Sequence, residues 1–246
     1  MKNQPPFNQK RRFYYGWIIV AVVALAGFSQ TAETFPLWGV LYKPMTAEFG
    51  WSRSAFAGAL SLATILGAVI AVVIGPVIDR FGPRWLTVLG FGIIGGSLVL
   101  MPLISELWHF YFLLVFGRMV HMGIVGISMS VITSKWFVAK RGRAVAISGV
   151  GNRVGSAVTP LYAQFLVGSV GWRWAVLVVG LVVWIVSLIP SALFLRRQPE
   201  DLGLHPDGID DAEAERRVKQ SVTSDPKGKS VRDISFTLSE VLRMPV

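Results

Sequence analysis

The sequence predicts an all-α protein that crosses a lipid bilayer six times. Of its 246 residues, 53% are hydrophobic and only 15% are charged, whereas an average soluble domain has about 25% charged residues. Long uncharged stretches recur over residues 1–195, and basic residues collect in alternate connections between them. These three observations favour a polytopic membrane protein over a soluble one.

The uncharged stretches define the predicted helices in chain order. A helix needs roughly 20 mostly apolar residues to cross the hydrocarbon core. Four stretches contain no charged residue over 20 positions or more, and two others are each interrupted by a single arginine. None shows the alternating pattern of a barrel strand, so we expect helices. The predicted spans are 14–42, 52–78, 84–105, 108–134, 142–170 and 173–195.

The distribution of basic residues predicts the orientation. Of the Lys and Arg residues in the connections and tails up to residue 197, twelve fall on the side of the N-terminus, and three (Lys43, Arg53, Arg173) fall on the opposite side. The positive-inside rule therefore places both termini of a multi-pass protein in the cytoplasm, in the inner or plasma membrane of the cell. The net charge of +10 then reports orientation, and we expect no nucleic-acid partner. Ala24-Leu25-Ala26 is compatible with signal-peptide cleavage, but the apolar stretch continues beyond it, which indicates a retained span.

The composition divides the chain into three regions. Residues 1–13 form a predicted cytoplasmic tail, residues 14–195 a six-helix transmembrane bundle, and residues 196–246 a mixed-charge cytoplasmic linker. The chain becomes apolar again from Ile234, with near-helical spacing, and stops at Val246. This pattern predicts a linker that leads to a missing second half. An amphipathic tail on the membrane surface is the alternative.

The loop between the second and third predicted spans is the most specific motif. It reads Gly75-Pro76-Val77-Ile78-Asp79-Arg80-Phe81-Gly82-Pro83-Arg84, in which glycines permit a tight reversal and close helix approach. It resembles the signature loop of the major facilitator superfamily, with Pro83 where a basic residue is more common. The resemblance implies that Asp79 forms a charge lock with the other half of the transporter. It assigns this conformational latch to Gly75, Asp79, Arg80, Gly82 and Arg84.

Other segments narrow the resemblance to one branch of that superfamily. They are Tyr14-Tyr15-Gly16-Trp17, Phe49-Gly50-Trp51-Ser52-Arg53-Ser54, Lys140-Arg141-Gly142-Arg143, Gly171-Trp172-Arg173 and the string from Pro199 to Gly208. Together they resemble the monocarboxylate-porter and oxalate/formate-antiporter branch. The resemblance implies that the six helices form one half of a major-facilitator fold. The expected partners are the lipid bilayer and a C-terminal half-bundle or a second copy of the chain.

Charged residues inside the spans suggest a binding site, because each costs several kcal/mol unless it is paired or faces water. Arg118 and Arg153 lie ~15 Å and ~16 Å from the starts of their spans, whereas Glu33 is the only acid within a span. Two guanidiniums against one carboxylate favour an anionic ligand. With Gln30 and Gln164 they are the candidate substrate-binding residues. Arg118 also fits a structural role, and Arg153 also fits a pairing with Glu33 or with a backbone carbonyl.

Arg118 and His121 are candidate coupling residues. Arg118 matches the arginine of the superfamily's Arg-x-x-Gln-Gly motif, which is associated there with proton coupling, but His121 and Met122 replace the glutamine and glycine. A histidine titrates near neutral pH. Its simpler interpretation is a hydrogen-bond partner of the neighbouring arginine.

We therefore expect a secondary transporter that moves small organic anions such as monocarboxylates by alternating access, together with a proton or counter-anion. The alternatives are a drug/proton exporter of the same superfamily and a non-transporting half-bundle. A membrane enzyme is disfavoured because the chain has no cysteine, three scattered histidines and no clustered acids. We expect no catalytic residue, no metal and no cofactor.

Overall fold

A computed structural model describes residues 14–208 of the chain. In this range the protein consists of helices and connecting turns, without a β-strand. The helices are α1 Gly16–Ser29, α2 Phe35–Phe49, α3 Arg53–Phe81, α4 Pro83–Leu100, α5 Leu107–Val120, α6 Gly126–Trp136, α7 Arg141–Val170, α8 Trp172–Val183 and α9 Ile189–Phe194. The predicted all-α fold is confirmed. The predicted tail at 1–13 and the apolar segment from Ile234 lie outside the described residues.

The helices combine into six long segments that match the six predicted spans. Five of those described are long and apolar enough to cross a membrane: Gly16–Phe49, Arg53–Phe81, Pro83–Leu103, Leu107–Trp136 and Trp172–Phe194. The remaining segment is α7, a single 30-residue helix of about 45 Å. α7 is less apolar than the others because it carries Arg153 and five glycines between residues 141 and 170. The arrangement agrees with six transmembrane helices in one half of a major-facilitator fold.

The first and fifth segments pack closely through small residues. A Cβ atom at Gly151 would lie 1.8 Å from the carbonyl oxygen of Ala24, so no side chain fits between α7 and α1 at this position. One turn further on, Gly155 faces the carbonyl of Phe28. Beyond it, the Thr31 and Thr159 hydroxyls are hydrogen-bonded at 2.8 Å. This contact fixes which face of α7 is buried and leaves the opposite face of the helix exposed.

Polar contacts tie the helix ends together at both ends of the bundle. At the end that holds Glu48, which we call the Glu48 end, Arg173 forms an ion pair with Glu48 at 2.7 Å and donates to the carbonyl of Pro102. The end that holds Asp79 is called the Asp79 end. There, the hydroxyl of Tyr14 donates to the carbonyl of Trp136 at 3.0 Å. These contacts join segments that are far apart in sequence.

The residues that follow the sixth segment also belong to the bundle. The predicted linker begins at residue 196, but residues up to Asp207 form one compact unit with the helices. Leu195 is 1% exposed, and the carbonyl of Arg196 accepts a hydrogen bond from the Trp136 indole at 3.4 Å. A second unit begins at Gly208 and lies almost entirely outside the described residues.

Candidate functional site

The first segment is broken near its middle by a run of polar residues. α1 ends at Ser29, residues Gln30–Glu33 form a 3₁₀ turn, and Thr34 is extended at φ −95° and ψ 164°. Pro36 lies at the start of α2 and has no N–H to continue the helical ladder. The hydroxyl of Thr34 instead donates to the carbonyl of Thr31 at 2.6 Å. The sequence predicted a continuous span here. The break places polar side chains inside a helix pair of 34 residues.

Glu33 and Arg118 lie together in the interior of the bundle. Glu33 is 0% exposed and Arg118 is 5% exposed. The Arg118 guanidinium donates to the backbone carbonyl of Glu33, and its charge also acts on the Glu33 carboxylate. Because the partner of Glu33 is Arg118, the structure does not support the alternative in which Arg153 pairs with Glu33.

The carboxylate of Glu33 is buried near polar side chains, without a well-formed hydrogen bond in residues 14–208. Arg118, Ser97 and Trp38 are the polar side chains that act on it, yet neither oxygen has a partner of good geometry among the described residues. Gly117 makes room for it, because a Cβ atom there would lie 2.8 Å from Glu33 Oε1 and 2.4 Å from Ser97 Oγ. A buried polar group without a hydrogen bond costs free energy, so the Glu33 carboxylate lowers the stability of the bundle where it lies.

Two other predicted site residues also have a buried polar atom without a hydrogen-bond partner among the described residues. The Gln30 Oε1 and His121 Nδ1 atoms are buried without a hydrogen-bond partner within residues 14–208. His121 opens a π-helical turn, His121–Val125, that interrupts the fourth segment directly after α5. Single π turns of this kind occur often at functional sites. Two helix interruptions in the bundle interior therefore carry these residues. Gln30 and Glu33 lie in the first and His121 lies in the second. Arg118 lies in the last helical turn before the second interruption.

Arg153 and Gln164 lie on a different surface. Gly155, Thr159 and Ala163 form the buried face of α7, whereas Arg153 and Gln164 are on its exposed face. In the described part of the chain, Arg153 makes no hydrogen bond and no ion pair, so it does not bind a backbone carbonyl either. The structure therefore does not bring Arg153 and Arg118 into contact, and it leaves Arg153 available to a ligand.

The predicted latch loop is a tight reversal between α3 and α4. α3 ends at Phe81, and Gly82 adopts φ +79° with its N–H bonded to the carbonyl of Ile78 at 2.8 Å. Pro83 then begins α4. A positive φ favours glycine, which explains the glycine of the motif at this position. Gly75 has no atom within 4 Å of the place where its Cβ would be, which leaves this face of α3 open.

The charged residues of the latch loop do not pair with one another. Asp79 is exposed, and its carboxylate has no partner in residues 14–208, although its backbone carbonyl accepts from Arg197 at 3.4 Å. Arg84 instead donates to the carbonyl of Ala192 at 2.8 Å, and Arg80 lies over the Phe81 ring at 5.5 Å. The loop is thus anchored to the sixth segment by Arg84 and to the residues that follow this segment by Arg197, and the Asp79 carboxylate has no partner among the described residues.

Comparison with known proteins identifies the family. The family model described as Major Facilitator Superfamily matches residues 16–245. The chain belongs to the Major Facilitator Superfamily. Members of this superfamily are multi-pass membrane transporters, so the family predicted from the loop at 75–84 is confirmed.

Several curated members of the superfamily are similar to the chain. Monocarboxylate transporter 9 of Rattus norvegicus is 25% identical over 230 residues, which is 89% of this chain and 44% of that protein. The MFS-type transporter eupM of a Phoma species is 27% identical over 179 residues, 72% of this chain and 60% of that protein. An uncharacterized MFS-type transporter of Bacillus subtilis, YcxA, is 27% identical over 182 residues, which is 73% of this chain and 43% of that protein. The chain spans about a third to three fifths of the length of the first curated relatives that it matches.

The structure of this superfamily member also contains a polar site that sequence reasoning missed. Asp207 is 3% exposed, and its carboxylate accepts from the backbone N–H groups of Val138 at 3.2 Å, Ala139 at 2.7 Å and Lys140 at 2.9 Å. Asp207 adopts φ +61°, a conformation that Asp tolerates better than most residues. The Pro206-Asp207-Gly208 turn signal was visible in the sequence, but its docking site 69 residues away was not.

Proposed function

We propose that this chain is one half of a secondary active transporter that moves small organic anions, such as monocarboxylates, by alternating access. The observation that carries the proposal is Arg153, a guanidinium without a protein partner in the described region, on the exposed face of a long helix. A charged side chain within a membrane costs several kcal/mol unless it is paired or hydrated. A carboxylate is the ligand that a guanidinium binds best, through two parallel hydrogen bonds. Gln164 lies three turns, or about 16 Å, along the same exposed face and would line the path of the ligand.

The resemblance to monocarboxylate transporters supports this ligand class. Relatives with that printed name cover 68% to 89% of this chain, and the Arg153 surface provides the complementary charge. The chain matches only part of the length of those relatives, so the complete transporter requires a second half-bundle, either in the same polypeptide or as a second copy. The exposed Asp79 carboxylate is the proposed latch toward that half. The twelve-to-three distribution of basic residues supports cytoplasmic termini in the cell's inner or plasma membrane.

The Glu33–Arg118 site is the proposed coupling site. Arg118 would hold the carboxylate of Glu33 in place, and Gln30 would contribute to the wall of the cavity. His121 is one helical turn from Arg118, and its Nδ1 atom has no hydrogen-bond partner within residues 14–208; histidine is a side chain suited to proton exchange, so it would be the second coupling residue. A group that gains and loses a proton during transport must not be locked by hydrogen bonds in one state, and the buried atoms of this site meet that requirement.

The direct test measures uptake of radiolabelled monocarboxylates into proteoliposomes by the complete polypeptide that carries this chain. We expect Arg153→Gln to abolish uptake while membrane insertion and melting temperature stay unchanged. Arg143→Gln, which removes an exposed arginine near the start of the same helix, is the matched control and should retain uptake. Normal uptake by Arg153→Gln would refute the site assignment. Export of lipophilic cations with no response to carboxylates would favour the drug/proton exporter.

A further inference from the structure

An aromatic groove lies at the Glu48 end of the bundle, between α2 and the first two turns of α3. Its volume is about 250 Å³, and its walls include Phe35, Trp38, Tyr42, Phe56 and Leu60. Trp38 and Phe56 are 1% and 3% exposed, and their rings pack edge to face at 6.5 Å. The Tyr42 ring packs against Phe56 at 5.2 Å. These contacts hold the walls in place, so the groove is preformed.

Arg53 provides a positive charge at the rim of this apolar groove. It is the first residue of α3, and it lines the groove together with the aromatic side chains. Its Nε atom donates to the Tyr42 hydroxyl at 3.4 Å, and its guanidinium lies 5.7 Å from the centre of the Tyr42 ring. The two terminal nitrogens have no partner in the part of the chain that the structure describes. Tyr42 therefore positions a guanidinium whose strongest donors are unused.

The groove is also close to the buried Glu33–Arg118 site. Phe35 forms part of the groove wall, and its ring centre lies 4.5 Å from the Arg118 guanidinium. Phe35 is 62% exposed, so the other side of its ring faces away from the protein. A single aromatic side chain thus separates the groove from the proposed coupling site.

We propose that this groove is an outer binding site for an amphipathic carboxylate. The hydrocarbon part of the ligand would pack against the accessible faces of Phe35, Tyr42 and Leu60, over the buried rings of Trp38 and Phe56. Its carboxylate would bind the terminal nitrogens of Arg53. The charge at one end, the aromatic walls and the small volume together select a branched or aromatic monocarboxylate over a dicarboxylate or a sugar. The inference rests on the proposed function and sharpens its substrate class. Arg53 acts here as a binding residue distinct from Arg153.

The test measures equilibrium binding of 4-phenylbutyrate to the purified complete polypeptide. Quenching of tryptophan fluorescence reports the binding, and acetate serves as the small-ligand probe. Arg53→Gln should weaken 4-phenylbutyrate binding about tenfold, because a charge-assisted hydrogen-bond pair is lost. Gly39→Leu fills the groove at a position with no neighbour within 4 Å of its Cβ, and it should weaken 4-phenylbutyrate binding while acetate binding stays the same. Lys43→Gln, an exposed cation on α2, is the control and should bind both ligands normally.

The outcomes separate this site from the proposed function. Unchanged 4-phenylbutyrate binding in both Arg53→Gln and Gly39→Leu overturns the outer site, and carboxylate uptake by the wild type would then still support the transporter. If Gly39→Leu instead lowers the maximal uptake of all carboxylates without changing their KM or binding, the groove holds a helix of the other half-bundle and the inference is wrong. Arg53-dependent binding supports the outer site even in a preparation that fails to transport.

Discussion

Glu33 and Asp207 are two buried carboxylates with opposite surroundings. They are 0% and 3% exposed, respectively. Asp207 accepts hydrogen bonds from three consecutive backbone N–H groups, whereas neither oxygen of Glu33 has a hydrogen-bond partner in the described residues. A carboxylate that satisfies several N–H groups stabilises the conformation around it. The contrast indicates that the Asp207 carboxylate holds the fold together, and it agrees with the proposed coupling role of Glu33.

A similar contrast between structural contacts and unpartnered atoms is found at the Asp79 end of the bundle and in the bundle interior. At the Asp79 end, Arg84 and Arg197 bind backbone carbonyls and fix the loop, while the Asp79 carboxylate has no partner in residues 14–208. In the bundle interior, Arg118 binds the backbone of Glu33 and leaves its own Nε unpartnered. In both places the backbone contacts are structural, and the free atoms are those that a ligand or a second half-bundle would use. Four substitutions with decreasing expected losses of stability test this distinction.

Removal of the Asp207 side chain should cost the most. Asp207→Ala leaves the N–H groups of Val138, Ala139 and Lys140 without an acceptor and places alanine at a positive φ, so we expect a loss of about 2–3 kcal/mol in the free energy of unfolding. Faster hydrogen exchange of these three amides would locate the effect. Asp201→Ala, an exposed acid in the same segment, is the control. An unchanged melting temperature in Asp207→Ala would show that the carboxylate is not structural.

A methyl group at Gly117 should disturb the Glu33 site from outside. In Gly117→Ala the new Cβ atom meets Ser97 Oγ and Glu33 Oε1, and the resulting overpacking should cost about 1–2 kcal/mol. Thermal unfolding in detergent measures the loss, and monocarboxylate uptake should fall because the carboxylate is displaced. Gly126→Ala, whose Cβ would meet only the His121 carbonyl at 3.7 Å, is the comparison variant. Equal effects of the two substitutions would argue against a tightly fitted Glu33.

Replacement of the Glu33 carboxylate by an amide should change stability little. Glu33→Gln keeps the shape of the side chain and the backbone carbonyl that Arg118 binds, and neither oxygen has a well-formed hydrogen bond among the described residues, so we expect a change of less than about 1 kcal/mol. A protein that transports protons through Glu33 must also tolerate its neutral form. Thermal unfolding checks this expectation. A destabilisation above about 2 kcal/mol would mean that the charge is structural, as it is at Asp207.

Replacement of the exposed acid Glu48 should cause the smallest change in the free energy of unfolding among these substitutions. Its ion pair with Arg173 is 38% to 42% exposed, and such pairs contribute about 0–1 kcal/mol. Glu48→Gln keeps an acceptor for the Trp172 indole, so we expect about 0.5 kcal/mol, which falls further at high salt. Chemical denaturation at two salt concentrations measures this. A loss that exceeds that of Asp207→Ala would reverse the ranking.

The sequence predicted the features that depend on local chemistry. The six helical segments follow from hydrophobic length, and the reversal at Gly82 follows from a glycine between a polar turn and Pro83. The sequence did not predict the break at Gln30–Glu33, because the polar cluster was compatible with a continuous helix. The pairing of Arg118 with Glu33 and the docking of Asp207 on Val138 join residues 85 and 69 positions apart. Contacts at that distance depend on how the helices pack, which hydrophobic periodicity does not specify.

The most direct test compares uptake by Glu33→Gln and Asp207→Asn in the complete polypeptide. Initial rates of monocarboxylate uptake are measured in proteoliposomes and normalised to the amount of folded protein, and melting temperatures are recorded in parallel. We predict that Glu33→Gln melts like the wild type but transports at background level. Asp207→Asn should melt at a lower temperature and transport at the wild-type rate per folded molecule. Normal transport by Glu33→Gln together with loss of transport by folded Asp207→Asn would contradict the account.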